Sequence, residues 1–374
     1  MSIRILALTV DAFGARGGIA QYNRDVIAAW SGTAAVGEIT ILPRFACADP
    51  SALPAKVREH RAVGNATHYG LRALGHCFSG ARYDVVFCGH LHLVPLALVV
   101  ARLAGARLWL QLHGIEAWSE PSAWIRWCAE RADRVIAVSR HTRRRFLSWT
   151  GMDASKAMVA PNTFGDHFRA QADRDEAKRA LGLATKRVLL TVSRLARSEG
   201  YKGHDRVIRA LPALRRKFAD LVYVVAGDGD LRPDLEKLAG ELGVADAVRF
   251  IGHVESGDLP ELYRAADLFV MPSTGEGFGI VYLEALACGT PVVAGDADGA
   301  SDPLQDGRLG SLCDDSRLAG EIARRLEAAD ETRGDGGHAE HGRERAVRRH
   351  FGRDVFEDVI RDITLAMHAR DGLS

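Results

Sequence analysis

Apolar positions in this chain fall into short β-branched runs separated by longer stretches in which they recur every three or four residues. In the first half the runs cover 3–10, 39–42, 85–88, 107–112 and 135–138. The helical stretches between them cover 20–29, 66–78, 94–104, 122–132 and 142–149, with Ser139 placed as an N-cap before the last. In the second half the runs cover 188–192, 222–226, 248–251, 268–271, 291–294 and 309–313. Helical stretches at 206–218, 232–242, 259–265, 282–287 and 318–328 separate them. Strands alternating with helices predict parallel sheets covered on both faces, and the alternation occurs twice. The expected fold class is α/β, with two Rossmann-like, doubly wound domains at 1–164 and 165–350, joined at Ala160-Pro-Asn-Thr-Phe-Gly165. The charged, glycine-rich segment 330–342 lacks an apolar period and reads as an exposed connection. A last segment, 351–374, carries a helical stretch over 351–368 and is expected to return to the first domain. Open sheets of this kind bind ligands beyond the C-terminal ends of their strands, so two facing sheets would frame a cleft.

Composition adds that the 374 residues suit a soluble globular protein, with 47% apolar and 26% charged side chains. No apolar run is long enough to span a bilayer. Residues 1–10 read as a buried first strand rather than a signal peptide. Six cysteines (Cys47, Cys77, Cys88, Cys128, Cys288, Cys313) show no metal-like spacing, which predicts reduced thiols in a cytoplasmic protein. Charge is uneven. Residues 1–164 hold 19 Lys and Arg against 11 Asp and Glu (+8), and the remainder 30 against 37 (−7). All six tryptophans lie in the basic half. Trp124 and Trp127 sit beside Arg126 and Arg131, and 140–146 adds a basic cluster, a combination suited to a membrane interface or a sugar-stacking surface. No nucleic-acid-binding motif accompanies this charge, which argues against such a partner.

The most informative segment is Ser273-Thr-Gly-Glu-Gly-Phe-Gly-Ile-Val-Tyr-Leu-Glu284. Its glycines fall between a strand end and a helix start, where free backbone N–H groups and the helix dipole favour an anion. The carboxylates Glu276 and Glu284 flank that site, which suggests a ligand with both phosphate and hydroxyls, such as a nucleotide sugar. Arg194 closes the strand at 188–192, and Lys202 precedes the next helix. Two cations so placed suit a pyrophosphate. Gly17-Gly18-Ile19 opens the first helix and lets backbone approach an anion, though a tight turn alone would explain the glycines. His113 ends a strand at the ligand edge and could donate to a sugar hydroxyl; a structural histidine is the alternative. Asp228-Gly-Asp230 and Asp296-Ala-Asp298 resemble aspartate pairs for a divalent metal. For the first, a tight turn capping the next helix is the preferred reading.

Taken together these segments resemble the retaining glycosyltransferases of family four, which have the GT-B fold. The resemblance runs through Gly17-Gly18-Ile19, His113-Gly114, Ser139, Pro161-Asn162, Ser193-Arg194-Leu195, Lys202-Gly203, Gly227-Asp-Gly229, Gly252-His-Val254 and Glu276-Gly-Phe-Gly279 with Glu284. Asp298-Gly-Ala-Ser-Asp302 and Asp306-Gly-Arg-Leu-Gly310 resemble the branch acting in bacterial polysaccharide assembly. The resemblance implies that Arg194 and Lys202 hold the donor diphosphate, with Gly18 beside it. Glu276 and the backbone of Gly277, Phe278, Gly279 and Ile280 would face the transferred sugar and phosphate. Glu284 would bind ribose, the loop around Val254 the base, and His113 the transferred sugar. The insertion-like Ala196-Arg-Ser-Glu-Gly-Tyr201 between Arg194 and Lys202 departs from the commonest pattern. The expected activity is retaining transfer of a hexose from a UDP- or GDP-sugar, without a metal, to a saccharide or lipid-linked acceptor. Location would be cytoplasmic, with peripheral contact at the inner membrane surface. The alternatives are a nucleotide-sugar epimerase or a non-catalytic nucleotide-sugar sensor of the same fold. A nicotinamide-dependent dehydrogenase would need the glycine fingerprint that is missing here.

Overall fold

The structure is a computed structural model that describes residues 2–13, 17–45, 53–170, 174–331 and 337–369. The chain divides into two compact units, Met1–Thr163 with Asp354–Ser374, and Phe164–Arg353.

The first unit carries strands β1 (Ile3–Thr9), β2 (Val36–Pro43), β3 (Val57–Glu59), β4 (Val85–Cys88), β5 (Arg107–Leu112), β6 (Arg134–Ala137) and β7 (Ala157–Val159). They form one seven-stranded sheet in the order β3-β2-β1-β4-β5-β6-β7, every pair parallel. Helices α1 (Gly18–Gly32), α2 (Ala66–Gly75), α3 (Val94–Ala104), α4 (Ala123–Ala129) and α5 (Arg140–Leu147) connect them. Parallel strands buried on both faces read as near-continuous apolar runs, and in β1 Ile3, Ile5, Leu6, Ala7 and Leu8 are all buried. One face packs Leu6, Val86 and Leu110 against Val94, Ala97 and Ala101 of α3. Aromatic rings from α1 and the sheet cover the other, where Trp30 meets Phe87 edge-on at 4.9 Å. As expected for Ser139, its Oγ accepts from the Thr142 N–H at 3.0 Å and caps α5.

The second unit carries α6 (Arg174–Ala180), β8 (Arg187–Val192), α7 (His204–Lys217), β9 (Leu221–Ala226), α8 (Arg232–Glu241), β10 (Val248–Gly252) and α9 (Leu259–Ala265). It continues through β11 (Leu268–Met271), α10 (Ile280–Ala287), β12 (Val292–Gly295), β13 (Ser311–Cys313), α11 (Leu318–Glu331) and α12 (His338–Phe351). The six strands form a parallel sheet in the order β10-β9-β8-β11-β12-β13. The final helix α13 (Arg353–Ala369) packs in the first unit. There the Trp30 indole donates to Thr364 Oγ1 at 3.0 Å, and Phe356 meets the Tyr22 ring edge-on at 6.0 Å.

Four elements depart from the pattern-based reading. Strands β3 and β7 are three-residue edge strands, too short to show an alternation. Helix α6 is dominated by charged residues, and its Lys178 is nevertheless buried. The segment expected as an exposed connection at 330–342 is partly helical, because α11 runs to Glu331 and α12 begins at His338. Helix α12 shows little periodicity because Val347 and Phe351 are its buried residues. Cys77, Cys88, Cys128, Cys288 and Cys313 are free thiols; Cys47 lies outside the described residues. Among the described residues no helix is long and apolar enough to cross a membrane.

Candidate functional site

In the second unit the strand order turns back between β8 and β11, so the loops leaving these two strands part in opposite directions. Arg194 leaves β8 at that point, and the Ser273–Gly279 loop leaves β11. The sequence places these loops some eighty residues apart; the parallel sheet sets them side by side. Backbone bonds knit them together. The Thr274 N–H donates to the Tyr201 carbonyl at 3.0 Å. Gly203, at φ +80°, lies so close to the Pro272 carbonyl that a Cβ would stand 2.8 Å from its oxygen.

Lys202 and Glu276 form an ion pair across this junction, each with 14% of its side chain exposed. Burial alone would pull the Lys202 pKa down, but the charge and hydrogen bond of Glu276 outweigh it and the ammonium is held above its usual value. Glu199 lies within 3.9 Å of Lys202 and also pairs with Arg194, whose side chain is otherwise 76% exposed. Both expected diphosphate cations therefore rest on carboxylates. Glu199 belongs to the insertion-like segment, which forms a 3-10 turn ending at Lys202.

Gly279, at φ +90°, is the N-cap of α10 and offers no side-chain cap, so the first backbone N–H groups of α10 open toward the β11 loop. Gly277 is half-buried there, and Ile280 is the first residue of α10. The Phe278 ring turns away and packs edge-on to Phe351 at 5.8 Å, which leaves the backbone of this residue for a ligand. Glu284, one turn along α10, accepts a 2.8 Å hydrogen bond from the Tyr263 hydroxyl. Burial raises its pKa to about 7, with Tyr263 opposing. Val254 is half-buried in the loop after β10, on the same C-terminal edge of the sheet.

The raised Glu284 pKa has a stability consequence. The folded state keeps a proton that the unfolded chain releases near the ordinary value of 4.5. Stability from this group therefore falls as pH rises from about 4.5 to about 7. Glu284→Gln keeps an acceptor for Tyr263 and removes the charge. Melting curves across pH 5–8 should show the variant gaining on the parent as pH rises, by on the order of 1–3 kcal/mol. A constant gap between the two proteins would contradict the assignment.

Three residues here act in ways the sequence reading did not foresee: Asp298, read there as one of an aspartate pair, Gly299 and His204. Asp298 accepts the Glu276 N–H at 2.7 Å and the Ala300 N–H at 2.9 Å. Burial raises its pKa to about 6 against those two bonds. Gly299 N–H donates to the Glu276 carbonyl at 2.9 Å, so the β12 loop clamps the backbone of Glu276 from both sides. The approach is so close that a Cβ on Gly299 would meet the Gly277 carbonyl oxygen at 2.2 Å. Gly299→Ala should therefore displace the loop and weaken donor binding tenfold or more, since a shift of about 1 Å can cost about 100-fold. Titration calorimetry with the nucleotide would check this, and unchanged affinity would refute it. His204 is the third. It lies 2.8 Å from Ser193 Oγ and 3.1 Å from the Tyr223 hydroxyl, which is itself 2.8 Å from Thr191 Oγ1. Burial lowers the His204 pKa to about 4, so the ring is neutral and braces the β8 exit. Its position two residues after Lys202 was the available signal; the partner Tyr223 was not visible in sequence.

The aspartate turn at Asp228-Gly-Asp230 does not cap α8, whose N-cap is Leu231 without a side-chain bond. Asp228 instead accepts from Gly229 N–H at 2.9 Å, and Asp230 from Arg197 N–H at 2.8 Å. The first bond is internal to the turn; the second, with the Leu195 N–H donating to the Asp228 carbonyl at 3.0 Å, holds the turn against the segment after β8. No group of three or more His, Cys, Asp or Glu among the described residues is arranged to hold a metal ion.

In the first unit the strand order turns back between β1 and β4. Gly17, at φ +108°, is the N-cap of α1, and Gly18 is its exposed first residue. His113 leaves β5 and is oriented on three sides. Its Nε2 lies 3.0 Å from the Gly89 carbonyl, its N–H donates to Glu116 at 2.5 Å, and its ring meets Tyr22 edge-on at 5.6 Å. Burial lowers its pKa against the pull of Glu116, which favours a neutral ring. A carbonyl can only accept, so Nε2 carries the proton and Nδ1 is left as an acceptor. Any further hydrogen bond at the ring of His113 is therefore one that Nδ1 accepts.

Residues 17–164 match the model of Glycosyltransferase Family 4, and residues 173–340 that of Glycosyl transferases group 1. The GDP-mannose-dependent alpha-(1-6)-phosphatidylinositol monomannoside mannosyltransferase of Mycolicibacterium smegmatis is 40% identical over 235 residues, 59% of this chain and 61% of that protein. The protein of the same description from Mycobacterium tuberculosis (strain H37Rv) is 33% identical over 335 residues, 83% of this chain and 85% of the relative. Among solved structures, Anabaena HepE in complex with UDP-glucose superposes with a TM-score of 0.77 at 22% identity, covering 97% of this chain and all of that one.

Proposed function

The chain belongs to glycosyltransferase family 4, with the GT-B fold, and from that premise we propose that it transfers mannose from GDP-mannose, with retention of configuration, to a lipid-linked acceptor bearing an inositol phosphate. The observation that carries the reading is the meeting of Lys202, Arg194 and Glu276 at the turning point of the second sheet, beside the uncapped start of α10. The named activities of the two mycobacterial relatives support the donor and the acceptor class.

Cleavage of the bond between sugar C1 and the diphosphate leaves positive charge on the ring and negative charge on the leaving phosphate. Arg194, Lys202 and the α10 N-terminus meet the second of these, in place of a divalent metal. The diphosphate would take over as counterion from Glu199 at Arg194 and from Glu276 at Lys202. Glu276, held by Asp298 and Gly299, would then face the transferred sugar. We infer that the acceptor hydroxyl attacks on the face the phosphate leaves, and that a phosphate oxygen takes its proton. Glu284 takes ribose hydroxyls and the Val254 loop the base. A lipid-linked acceptor together with a nucleotide-sugar donor suits a protein at the cytoplasmic face of a membrane.

Thermal shift tests the donor. GDP and GDP-mannose should raise the melting temperature in proportion to the logarithm of concentration, with or without EDTA, and UDP should do so far less. A larger shift with UDP, or a strict magnesium requirement, would overturn the donor or the metal-free assignment respectively.

A further inference from the structure

The segment Ala196-Arg-Ser-Glu-Gly-Tyr201, which separates Arg194 from Lys202, brings a carboxylate of its own into the cation pair. Glu199 binds Arg194 through one oxygen, and its other oxygen lies 3.9 Å from the Lys202 ammonium. Its side chain is 12% exposed, although Arg197, Ser198 and Gly200 around it are all exposed. A surface turn thus folds this one acid inward. The turn is anchored on either side of Glu199. Before it, the Arg197 N–H donates to Asp230 at 2.8 Å, and the Leu231 N–H to the Leu195 carbonyl at 2.8 Å. After it, the Tyr201 ring lies so close to the β11 loop that a Cβ on Gly275 would stand 2.6 Å from it. Between these anchors Glu199 interrupts the 3-10 turn with non-helical backbone, at φ −111° and ψ 22°.

Arg194 and Lys202 are matched by Glu199 and Glu276, so the four charges cancel and the cations present no net charge to an arriving anion. Glu276 keeps a use once a donor is bound, because it then faces the sugar. Glu199 has none there, since it occupies the sides of the cations that phosphate oxygens need. A group held on a short tether competes at an effective concentration on the order of mM. Inorganic phosphate or pyrophosphate, relying on the two cations, must overcome that local carboxylate. A nucleoside diphosphate brings further contacts to the N–H groups of α10 and to the groups assigned to ribose and base. We propose that Glu199 sets the affinity threshold of this site: it is a built-in counter-anion that keeps Arg194 and Lys202 closed to small anions, yields to a nucleoside diphosphate, and returns as the nucleotide product leaves. The proposal rests on the donor site described above and names what regulates its occupancy. The same factor falls on every ligand that must displace the carboxylate. A site open in about one molecule in ten binds about tenfold more weakly than one that is always open.

The test is titration calorimetry of GDP and of pyrophosphate against the full chain and Glu199→Gln, which keeps the shape of the side chain and removes its charge. The variant should bind both ligands about tenfold more tightly than the parent, and by the same factor. Its affinity should also fall more steeply with added salt, because in the parent the ligand replaces an anion already in place. Glu199→Ala should tighten binding in the same direction, and circular dichroism checks that both variants are folded. Weaker binding of both ligands by the variants overturns the proposal, since a carboxylate that merely positions the cations would be missed. Tightening confined to GDP also overturns it, because the effect would then lie away from the diphosphate. GDP and pyrophosphate binding equal in parent and variants removes the threshold and leaves the donor reading standing. Tighter pyrophosphate binding in the variants, with no GDP binding by any of the proteins, does the reverse. Absence of binding by both ligands in all three proteins overturns both.

Discussion

Lys202→Ala is expected to lower turnover by about 10²–10³-fold, the loss seen when one preorganised group facing a developing negative charge is removed. Two effects coincide at this residue. The ammonium is the buried member of the cation pair, whereas Arg194 is largely exposed. Preorganised charge counts for more where water is excluded, so Lys202 should matter more than Arg194. Its removal also strips Glu276 of its counterion in the donor-free state. Glu276→Gln, which keeps the shape of the side chain, should cost a comparable factor. The double variant should lose much less than the product of the two, because groups acting as a unit are non-additive. Steady-state assays with matched circular dichroism spectra decide this. Near-parent turnover in both single variants would remove the basis for the proposed site.

Asp267→Ala should destabilise the protein by about 3–5 kcal/mol, the cost of leaving a buried charge without its partner. Asp267 and Lys178 meet at 2.6 Å with 3% and 2% of their side chains exposed. Asp267 also accepts the Val188 N–H at 2.8 Å, at the start of β8, and lies 3.5 Å from Arg174. The substitution thus leaves the buried Lys178 ammonium with the Lys186 carbonyl at 2.8 Å but without the Asp267 counter-charge, and takes from the Val188 N–H its carboxylate acceptor. Lys178→Met should cost less, because Arg174 remains beside the carboxylate. Urea titration monitored by tryptophan-independent circular dichroism would measure both, since every tryptophan lies in the other unit. A loss below about 1 kcal/mol for Asp267→Ala would mean that water reaches the pair.

Much of the fold was legible because long parallel strands must be apolar along their whole length, and helices covering them must repeat every three to four residues. Residues 85–88, 107–112 and 268–271 show the rule at work, since the strands fall within the limits read from sequence. Where burial was slight, the rule had nothing to read. An edge strand such as β7 has three residues, and α12 buries two side chains among many charges. The residue types of the site were legible for a related reason. Glycines at Gly275, Gly277 and Gly279, bracketing Glu276, have no use in a helix or strand and so mark a turn near a ligand.

Sequence by itself determined the two alternating α/β halves, the polarity of charge between them, and which loops carry cations, carboxylates and glycines. These depend on neighbours along the chain, within reach of one or two turns of backbone. Only the tertiary structure decided that Lys202 pairs with Glu276, that Asp298 and Gly299 hold the Glu276 backbone, that His113 presents an acceptor, and that Trp124 and Trp127 face outward. Each of these rests on groups brought together by strand order or by a helix's orientation in its layer, which depend on packing across distant parts of the chain.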